Sequence, residues 1–272
     1  MENEPKNKKI INIIYNDNIR SKETRELLES KLKEYGYIIS DEFDYNAELN
    51  ICIGGDGAFL RAVHKHGFPY IPFVGVNTGH LGFFHEVTPE TINKFVESYS
   101  SGNYKLEDIY LVEAVVCTRT SCIELIGVNE IVIKGIDSKV IHLNISIDDN
   151  LLERFSGDGI IVSTPSGSTA YNLSAGGSIV YPTLKTLQLT PLCPINSKAY
   201  RSLQNSAIIP DGMTIKVNPE YRDENSILII VDGKQIKYDN VVEIVFKLSD
   251  MTLRKLTFHS QNFWSKVRDR FI

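Results

Sequence analysis

The chain has 272 residues, 42% of them apolar, and a formal net charge of −5, enough material for one large globular domain or two ordinary ones. The acidic balance excludes nonspecific nucleic-acid binding driven by charge, but not a small anion held at a local glycine-rich or basic site. No apolar run reaches the length of a membrane span, and the N-terminal Met-Glu-Asn-Glu-Pro-Lys-Asn-Lys-Lys has no signal-peptide core, so a cytoplasmic protein with no membrane partner is expected. Cys52, Cys117, Cys122 and Cys193 form no Cys-x-x-Cys pair and are expected to be reduced and mostly buried. His64-Lys65-His66 lacks nearby Cys or His partners and reads as a solvated helix end, so no protein metal site is expected.

Along the chain, residues 10–16 read as a buried strand. A helix follows over 20–35, with Leu27, Leu28 and Leu32 on one face and Gly36 as its stop. A short strand at 37–40 precedes another from Leu49 to Ile53, which ends in Gly54-Gly55-Asp56-Gly57. Phe59, Leu60 and Val63 then give a helix face, and residues 71–76 the next strand. Strand and helix in alternation imply a parallel, three-layer α/β sheet. In such sheets ligands bind at the carboxyl ends of the strands, where Asp56 and Asn77 both fall.

The period changes after residue 108. Segments 110–118, 122–134, 140–148, 150–155, 159–163, 206–209, 213–218, 226–231 and 241–248 are short and rich in Ile, Val and Leu. Asp148-Asp149-Asn150, Asp211-Gly212 and Asp232-Gly233 punctuate them as turns. One more strand is expected from Leu253 to Phe258. A helix over 261–271, carrying Phe263, Trp264, Val267 and Phe271, is expected to return to the first domain. The expected organisation is an α/β domain of residues 1–108 plus 253–272 and a β-rich domain of residues 109–252.

Gly54-Gly55-Asp56-Gly57 combines what phosphoryl transfer needs. Glycines let the backbone approach phosphate oxygens, their N–H groups face an anion, and Asp56 offers a carboxylate to a substrate hydroxyl. A plain strand-to-helix turn is the alternative. Arg61 and Lys65, on the helix that follows, could neutralise phosphate or remain solvated. Thr78-Gly79-His80-Leu81-Gly82-Phe83-Phe84 suits a loop that stacks on a flat ring or plugs a core.

The hydroxyl-rich run Ser163 to Gly177 follows a strand, and Ser168 or Thr169 could cap a short helix within it. It is neither a Walker A loop nor a nucleophile elbow. Asn129-Glu130 and Gly157-Asp158-Gly159 flank it. Alone each reads as a turn. Together they supply amides for a base edge and carboxylates for ribose hydroxyls.

These motifs, in this order and over nearly the whole chain, resemble the NAD kinase family. The resemblance rests on Gly54-Gly55-Asp56-Gly57, Asn77 to Phe83, Asn129-Glu130, Gly157-Asp158-Gly159 and Thr164-Pro165-Ser166-Gly167-Ser168-Thr169-Ala170-Tyr171. The first of these is shared with diacylglycerol-type lipid kinases and phosphofructokinases. The last, beside Asn-Glu, is specific. The compact length looks like the short bacterial form.

The resemblance implies transfer of the ATP γ-phosphoryl to the 2′-hydroxyl of the adenosine ribose of NAD. It makes Asp56 the proton acceptor, with Gly54, Gly55, Gly57 and Arg61 at the phosphates. Asn129, Ser166 and Thr169 would read adenine, Glu130 would hold ribose hydroxyls, and Phe83 and Phe84 would wall the adenine pocket. Asp158 and Tyr171 would serve the nicotinamide half, with Ala170, Asn172, Leu173 and Ser174 lining the pocket and Cys193 and Ile195 closing it. A divalent metal, Mg²⁺, would arrive with ATP, and polyphosphate is an alternative donor. A homodimer or homotetramer is implied.

The chain departs from the family pattern at Ala58, where threonine is common, and at Ser156, where relatives can carry a basic side chain. The match is loose around Asp232-Gly233-Lys234. Two other readings stay open: a lipid or small-alcohol kinase sharing the Gly-Gly-Asp-Gly element, and a nucleotide-binding regulator without catalysis.

Overall fold

The structure is a computed structural model that describes residues 9–79, 82–196, 201–222, 225–258 and 263–272. Two compact units emerge, Met1–Asp108 with Leu253–Ile272, and Ile109–Thr252. His80 and Leu81 of the Asn77 to Phe83 stretch lie outside the described residues.

The first unit begins with β1 (Ile10–Tyr15), α1 (Ile19–Glu34), β2 (Ile38–Ile39), β3 (Leu49–Gly54), α2 (Asp56–Lys65), β4 (Phe73–Asn77), β5 (His85–Val87) and α3 (Ile92–Ser100). Strands pair in the order β2-β1-β3-β4, all parallel, with β5 also parallel to β4. Asn18 caps α1 by accepting the Ser21 N–H at 2.9 Å. Gly36, at φ 82°, ends the helix in a left-handed turn. There the N–H groups of Gly36 and Tyr37 close onto the carbonyls of Lys33 and Leu32.

Alternation along the strands sorts the two faces. Ile51, Ile53, Val74 and Val76 pack with Leu28 and Leu32 of α1 and with Ile92, Phe95 and Val96 of α3. Phe73, one residue out of phase, meets Phe59 of α2 at 5.3 Å, and Phe59 stacks on Phe84 at 4.5 Å. Helices therefore cover both faces, as the α/β reading expects.

Two helix faces are corrected. Leu28 and Leu32 share the buried face of α1 with Ser21 and Thr24, whereas Leu27 is 49% exposed because it stands one position, about 100°, off the stripe. On α2 the buried residues are Ala58, Phe59, Ala62 and Val63, with Leu60 only partly covered.

The second unit runs β6 (Lys105–Thr118), β7 (Cys122–Gly127), β8 (Glu130–Lys134), β9 (Ile141–Ile147), β10 (Asn150–Gly157), β11 (Gly159–Ser163), a 3-10 turn (Ser166–Thr169) and α4 (Tyr171–Ser174). It continues with β12 (Thr186–Leu192), β13 (Ala207–Pro210), β14 (Ile215–Pro219), β15 (Ser226–Val231), β16 (Lys234–Asp239) and the start of β17 (Val241–Thr257), whose end, with α5 (Phe263–Phe271), belongs to the first unit. One antiparallel sheet has the order β13-β12-β11-β8-β15-β16. A second antiparallel layer has β10, β9, β14 and residues 244–246 of β17 as neighbours. Between them lies one core, with Ile131, Ile133, Ile160, Val162, Ile227 and Ile229 facing Leu143, Ile145, Phe155, Ile215, Val217 and Phe246.

Four expectations change here. Residues 122–134 are two strands broken at Val128-Asn129, where the chain turns. Strands β12 and β16 were not anticipated, and 241–257 is one strand rather than two. Cys117 and Cys122, opposed across the β6–β7 hairpin, form a disulfide, and Cys193 is exposed, so only Cys52 fits the buried, reduced reading. Burial pushes the Cys52 thiol up to about 12.

In the first unit Lys255 of β17 pairs with Phe73 of β4. On α5 only Lys266 and Val267 are buried, while Trp264 and Phe271 stay exposed.

Leu32→Ala should lower stability by about 2–5 kcal/mol through the cavity it leaves. Leu27→Ala should stay within about 0.5 kcal/mol of the parent. Urea unfolding of the two variants checks this, and equal losses would return Leu27 to the packed face.

Candidate active site

In the first unit the chain leaves β3 at Gly54, whose register partner is Asn77 at the end of β4. Strand order reverses between β1 and β3, the crevice at which open α/β sheets bind ligands. A Cβ on Gly54, at φ 152°, would lie 2.6 Å from Ala58 Cβ and 2.8 Å from Asn16 Nδ2, so the turn needs glycine. Gly55 and Asp56 then open α2. Arg61 is exposed and reaches Asn16 Oδ1 at 3.0 Å.

Four groups surround the Asp56 carboxylate. Oδ1 accepts the Phe84 N–H at 3.2 Å and contacts His85 Nδ1 at 3.1 Å. Oδ2 accepts the Phe83 N–H at 3.1 Å and lies 3.5 Å from Arg270 Nη1. Burial raises the carboxyl pKa, but the hydrogen bond and electrostatic attraction of His85, with the amides of Phe84 and Phe83, outweigh it and leave Asp56 below its ordinary value. The group is an anion at neutral pH.

The loop that supplies these amides is itself tied down. Lys266 Nζ donates to the carbonyls of Phe83 (3.2 Å) and His85 (2.8 Å) and to Glu86 Oε1 (2.9 Å), which matches its three protons. Lys255 meets the same Glu86 oxygen at 3.2 Å. Asn77 braces the start of the loop with bonds to the N–H and carbonyl of Gly79, both 3.0 Å. Phe84 is buried and stacked on Phe59, so its ring belongs to the core of this unit. Phe83 is half-buried beside Phe271 and Phe263, with the Arg270 guanidinium over its ring. His64 and His66 are not simply solvated, since they lie against Phe68 and Phe43.

In the second unit the Asn129-Glu130 turn is held by Asp232, where the family match in sequence is loose. The Asp232 carboxylate accepts the N–H groups of Val128 (2.7 Å), Asn129 (2.7 Å) and Glu130 (3.2 Å). Thr164 caps the hydroxyl-rich turn in place of Ser168 or Thr169. Its hydroxyl donates to the Val128 carbonyl at 2.7 Å and accepts the Gly167 N–H at 3.0 Å. Ser168 is turned inward, donating to the Pro165 carbonyl and accepting the Val180 N–H. A Cβ on Gly167 would lie 2.0 Å from the Asn129 carbonyl oxygen, so this turn and the Asn-Glu turn touch backbone to backbone.

Three buried polar atoms here, Asn129 Oδ1, Glu130 Oε2 and Ser163 Oγ, have no hydrogen-bond partner among the described residues. Burial, and then the charge of Asp232, push the Glu130 carboxyl up to about 8. Asn172 faces the other way. Its amide donates to the carbonyls of Ser168 and Ser178 and accepts from Thr190 Oγ1 at 2.6 Å, so it is a buried brace for the turn. Ser166, Ala170 and Leu173 are partly exposed, Tyr171 and Ser174 exposed, and Thr169 buried with its hydroxyl on the Ser166 carbonyl. Asp158 is exposed between two glycines and, through its hydrogen bond and charge, raises the pKa of the Cys193 thiol. Ile195 is exposed, with its N–H on the Ser156 carbonyl.

Comparison with known proteins bears directly on these motifs. Residues 9–104 match the ATP-NAD kinase N-terminal domain and residues 128–247 the ATP-NAD kinase C-terminal domain. The chain is 48% identical to the NAD kinase of Finegoldia magna over 98% of its own length and 99% of that protein's. It is 32% identical to the NAD kinase of Lactobacillus johnsonii over 96% of each. Yeast NADH kinase in complex with NADH shares the fold at a TM-score of 0.80 and 22% identity, over 97% of this chain and 87% of that one. An Archaeoglobus fulgidus NAD kinase in complex with ATP does so at 0.74 and 24%, over 95% and 98%. An α/β unit with a glycine-flanked carboxylate at a strand's carboxyl end, together with a β-rich unit, defines the chain as a phosphotransferase of the Gly-Gly-Asp-Gly type. Within that class it belongs to the NAD kinase family.

The raised Glu130 pKa sets a pH window for stability. Its folded-state proton is held more tightly than the ordinary value of 4.5 allows, so stability is full below pH 4.5 and falls as pH rises toward about 8. Glu130→Gln should unfold at the same urea concentration as the parent near pH 4 and at a clearly higher one near pH 9. Parallel curves across that range would mean that Glu130 ionises without strain.

Proposed function

We propose that Asp56 is the proton acceptor of the phosphoryl transfer and that the turns around Asn129, Glu130 and Thr164 hold the adenosine of NAD. The enzyme transfers the γ-phosphoryl of ATP to the 2′-hydroxyl of the adenosine ribose of NAD, giving NADP and ADP. The observation that carries the assignment of Asp56 is its cage. A carboxylate kept anionic by two amides and a histidine, at the start of a helix behind two glycines, can take a proton from a weakly acidic alcohol.

In the step itself the 2′-oxygen forms a bond to Pγ while the bond from Pγ to the β–γ bridging oxygen breaks. Its electron pair leaves on ADP, and the hydroxyl proton passes to Asp56. In a loose transition state that proton moves late, so the first task of Asp56 is to orient the hydroxyl. Mg²⁺ would arrive with the donor, as Mg·ATP, and would supply charge neutralisation at the phosphates. Gly54, Gly55 and Gly57 let the phosphates approach the backbone, and Arg61 is a cation on the helix that follows.

On the acceptor side Asn129 Oδ1 and Glu130 Oε2 have no hydrogen-bond partner among the described residues; the amide oxygen can accept a hydrogen bond as it stands, and the Glu130 carboxyl can do so fully once its proton is lost. Adenine offers an amino group and ribose offers hydroxyls. Ser166 and Thr169 complete the adenine contacts. Tyr171, Asp158, Ala170, Leu173, Ser174, Cys193 and Ile195 serve the nicotinamide half. The protein works in the cytoplasm as a homodimer or homotetramer. Among the described residues no helix is long and apolar enough to cross a membrane.

Asp56→Asn should bind NAD as the parent does and lose at least ~10²-fold in kcat. A coupled assay with NAD, Mg·ATP and an NADP-specific dehydrogenase checks this, with polyphosphate as a second donor. Parental kcat in that variant would remove Asp56 from the role.

A further inference from the structure

We infer that His85 is the positioning residue of the phosphoryl-transfer base, closing Asp56 Oδ1 so that the substrate proton is delivered to Oδ2. The inference rests on Asp56 being that base. His85 is fully buried, and its Nδ1 stands 3.1 Å from Oδ1. Contact with an anionic oxygen is attractive only when Nδ1 carries the hydrogen. That leaves Nε2, buried and without a hydrogen-bond partner among the described residues. A bare lone pair there costs less than a bare N–H, which favours the Nδ1–H tautomer.

The space for the ring is built in. A Cβ on Gly75 would lie 2.8 Å from His85 Cδ2, and one on Gly82 would lie 2.6 Å from His85 Nδ1 and 2.1 Å from Asp56 Oδ1. Two glycines thus admit the imidazole and shut the Oδ1 side of the carboxylate against anything larger. Oδ1 has two close donors, the Phe84 N–H and His85. Oδ2 has one, the Phe83 N–H, with Arg270 at 3.5 Å as its loosest neighbour. An incoming hydroxyl displaces the loosest contact, so it meets Oδ2. The other charged groups around the pair are Lys266 on the His85 carbonyl, Glu86 beside it and Lys255 on Glu86. None of these three makes a hydrogen bond to the Asp56 carboxylate.

The test compares His85→Leu, His85→Asn and Asp56→Asn by kcat, NAD KM, pH profile and thermal melting. Asparagine can place an amide N–H where Nδ1–H stands. His85→Leu should lose ~10-fold in kcat, the scale of one hydrogen bond to a charged group, with NAD KM within about twofold of the parent. The acid limb of its kcat–pH profile should move to higher pH, because the carboxylate has lost a donor. His85→Asn should recover kcat to within about threefold and return the limb toward its parental position. Parental kcat and limb in His85→Leu would overturn the proposal. So would equal losses in the leucine and asparagine variants with the limb unmoved, which is the mark of packing alone. Histidine ¹⁵N spectra of the parent, with the His85 signal identified by its loss in His85→Asn, read the ring directly: a hydrogen on Nδ1 supports the role, and a hydrogen on Nε2 alone excludes it. Full kcat in Asp56→Asn would instead remove the base assignment itself, whatever the His85 variants do.

Discussion

A carboxylate held ionised while largely withdrawn from water constrains the first unit more than any other group. Burial by itself raises the Asp56 carboxyl pKa, and the donors around it outweigh that rise. The compensation comes from residues 82–86, which turn two amide N–H groups and one imidazole toward the oxygens. Donors fixed in place need no reorganisation when charge moves, which is why backbone amides suit the task. The loop in turn cannot drift, because Lys266 holds two of its carbonyls and a buried carboxylate at once. A buried ammonium is tolerated only when every proton is matched, and here all three are.

The second unit solves a different problem with the same chemistry. Asp232 accepts three successive N–H groups of the Val128-Asn129-Glu130 turn and so fixes the backbone from which two polar side chains project. Its charge also bears on Glu130 and helps keep that carboxyl protonated when nothing is bound. Thr164 and Gly167 lock the neighbouring turn to the same strand break. The outcome is a braced turn beside which three buried polar atoms have no hydrogen-bond partner among the described residues.

Motifs flagged as one block therefore divide by task. In the run from Ser163 to Gly177, Thr164, Ser168 and Asn172 are structural and spend their hydrogen bonds inside the protein, while Ser166, Ala170 and Tyr171 remain accessible. Phe83 and Phe84 are adjacent in sequence but alternate in direction, so one ring is half-exposed and the other is core. The hydroxyls looked alike in sequence because hydrogen-bonding capacity is a property of the residue type, whereas its use depends on what lies opposite.

The sequence by itself determined the local features: the apolar periods of the parallel strands, the glycine turns where backbone approaches backbone, and the order of motifs that marks an NAD kinase. These are legible because they depend on residues within a few positions of one another. It could not disclose β12 and β16, the Cys117–Cys122 bond or the exposure of Leu27, each of which depends on a strand register or helix rotation fixed by packing. Nor could it find the residues that hold the Asp56 carboxylate and the Val128-Asn129-Glu130 turn. His85 lies 29 positions from Asp56, and Asp232 lies 104 from Val128. Hydrogen-bond partners at such separations are chosen by sheet pairing and core packing, so only the tertiary structure could decide them.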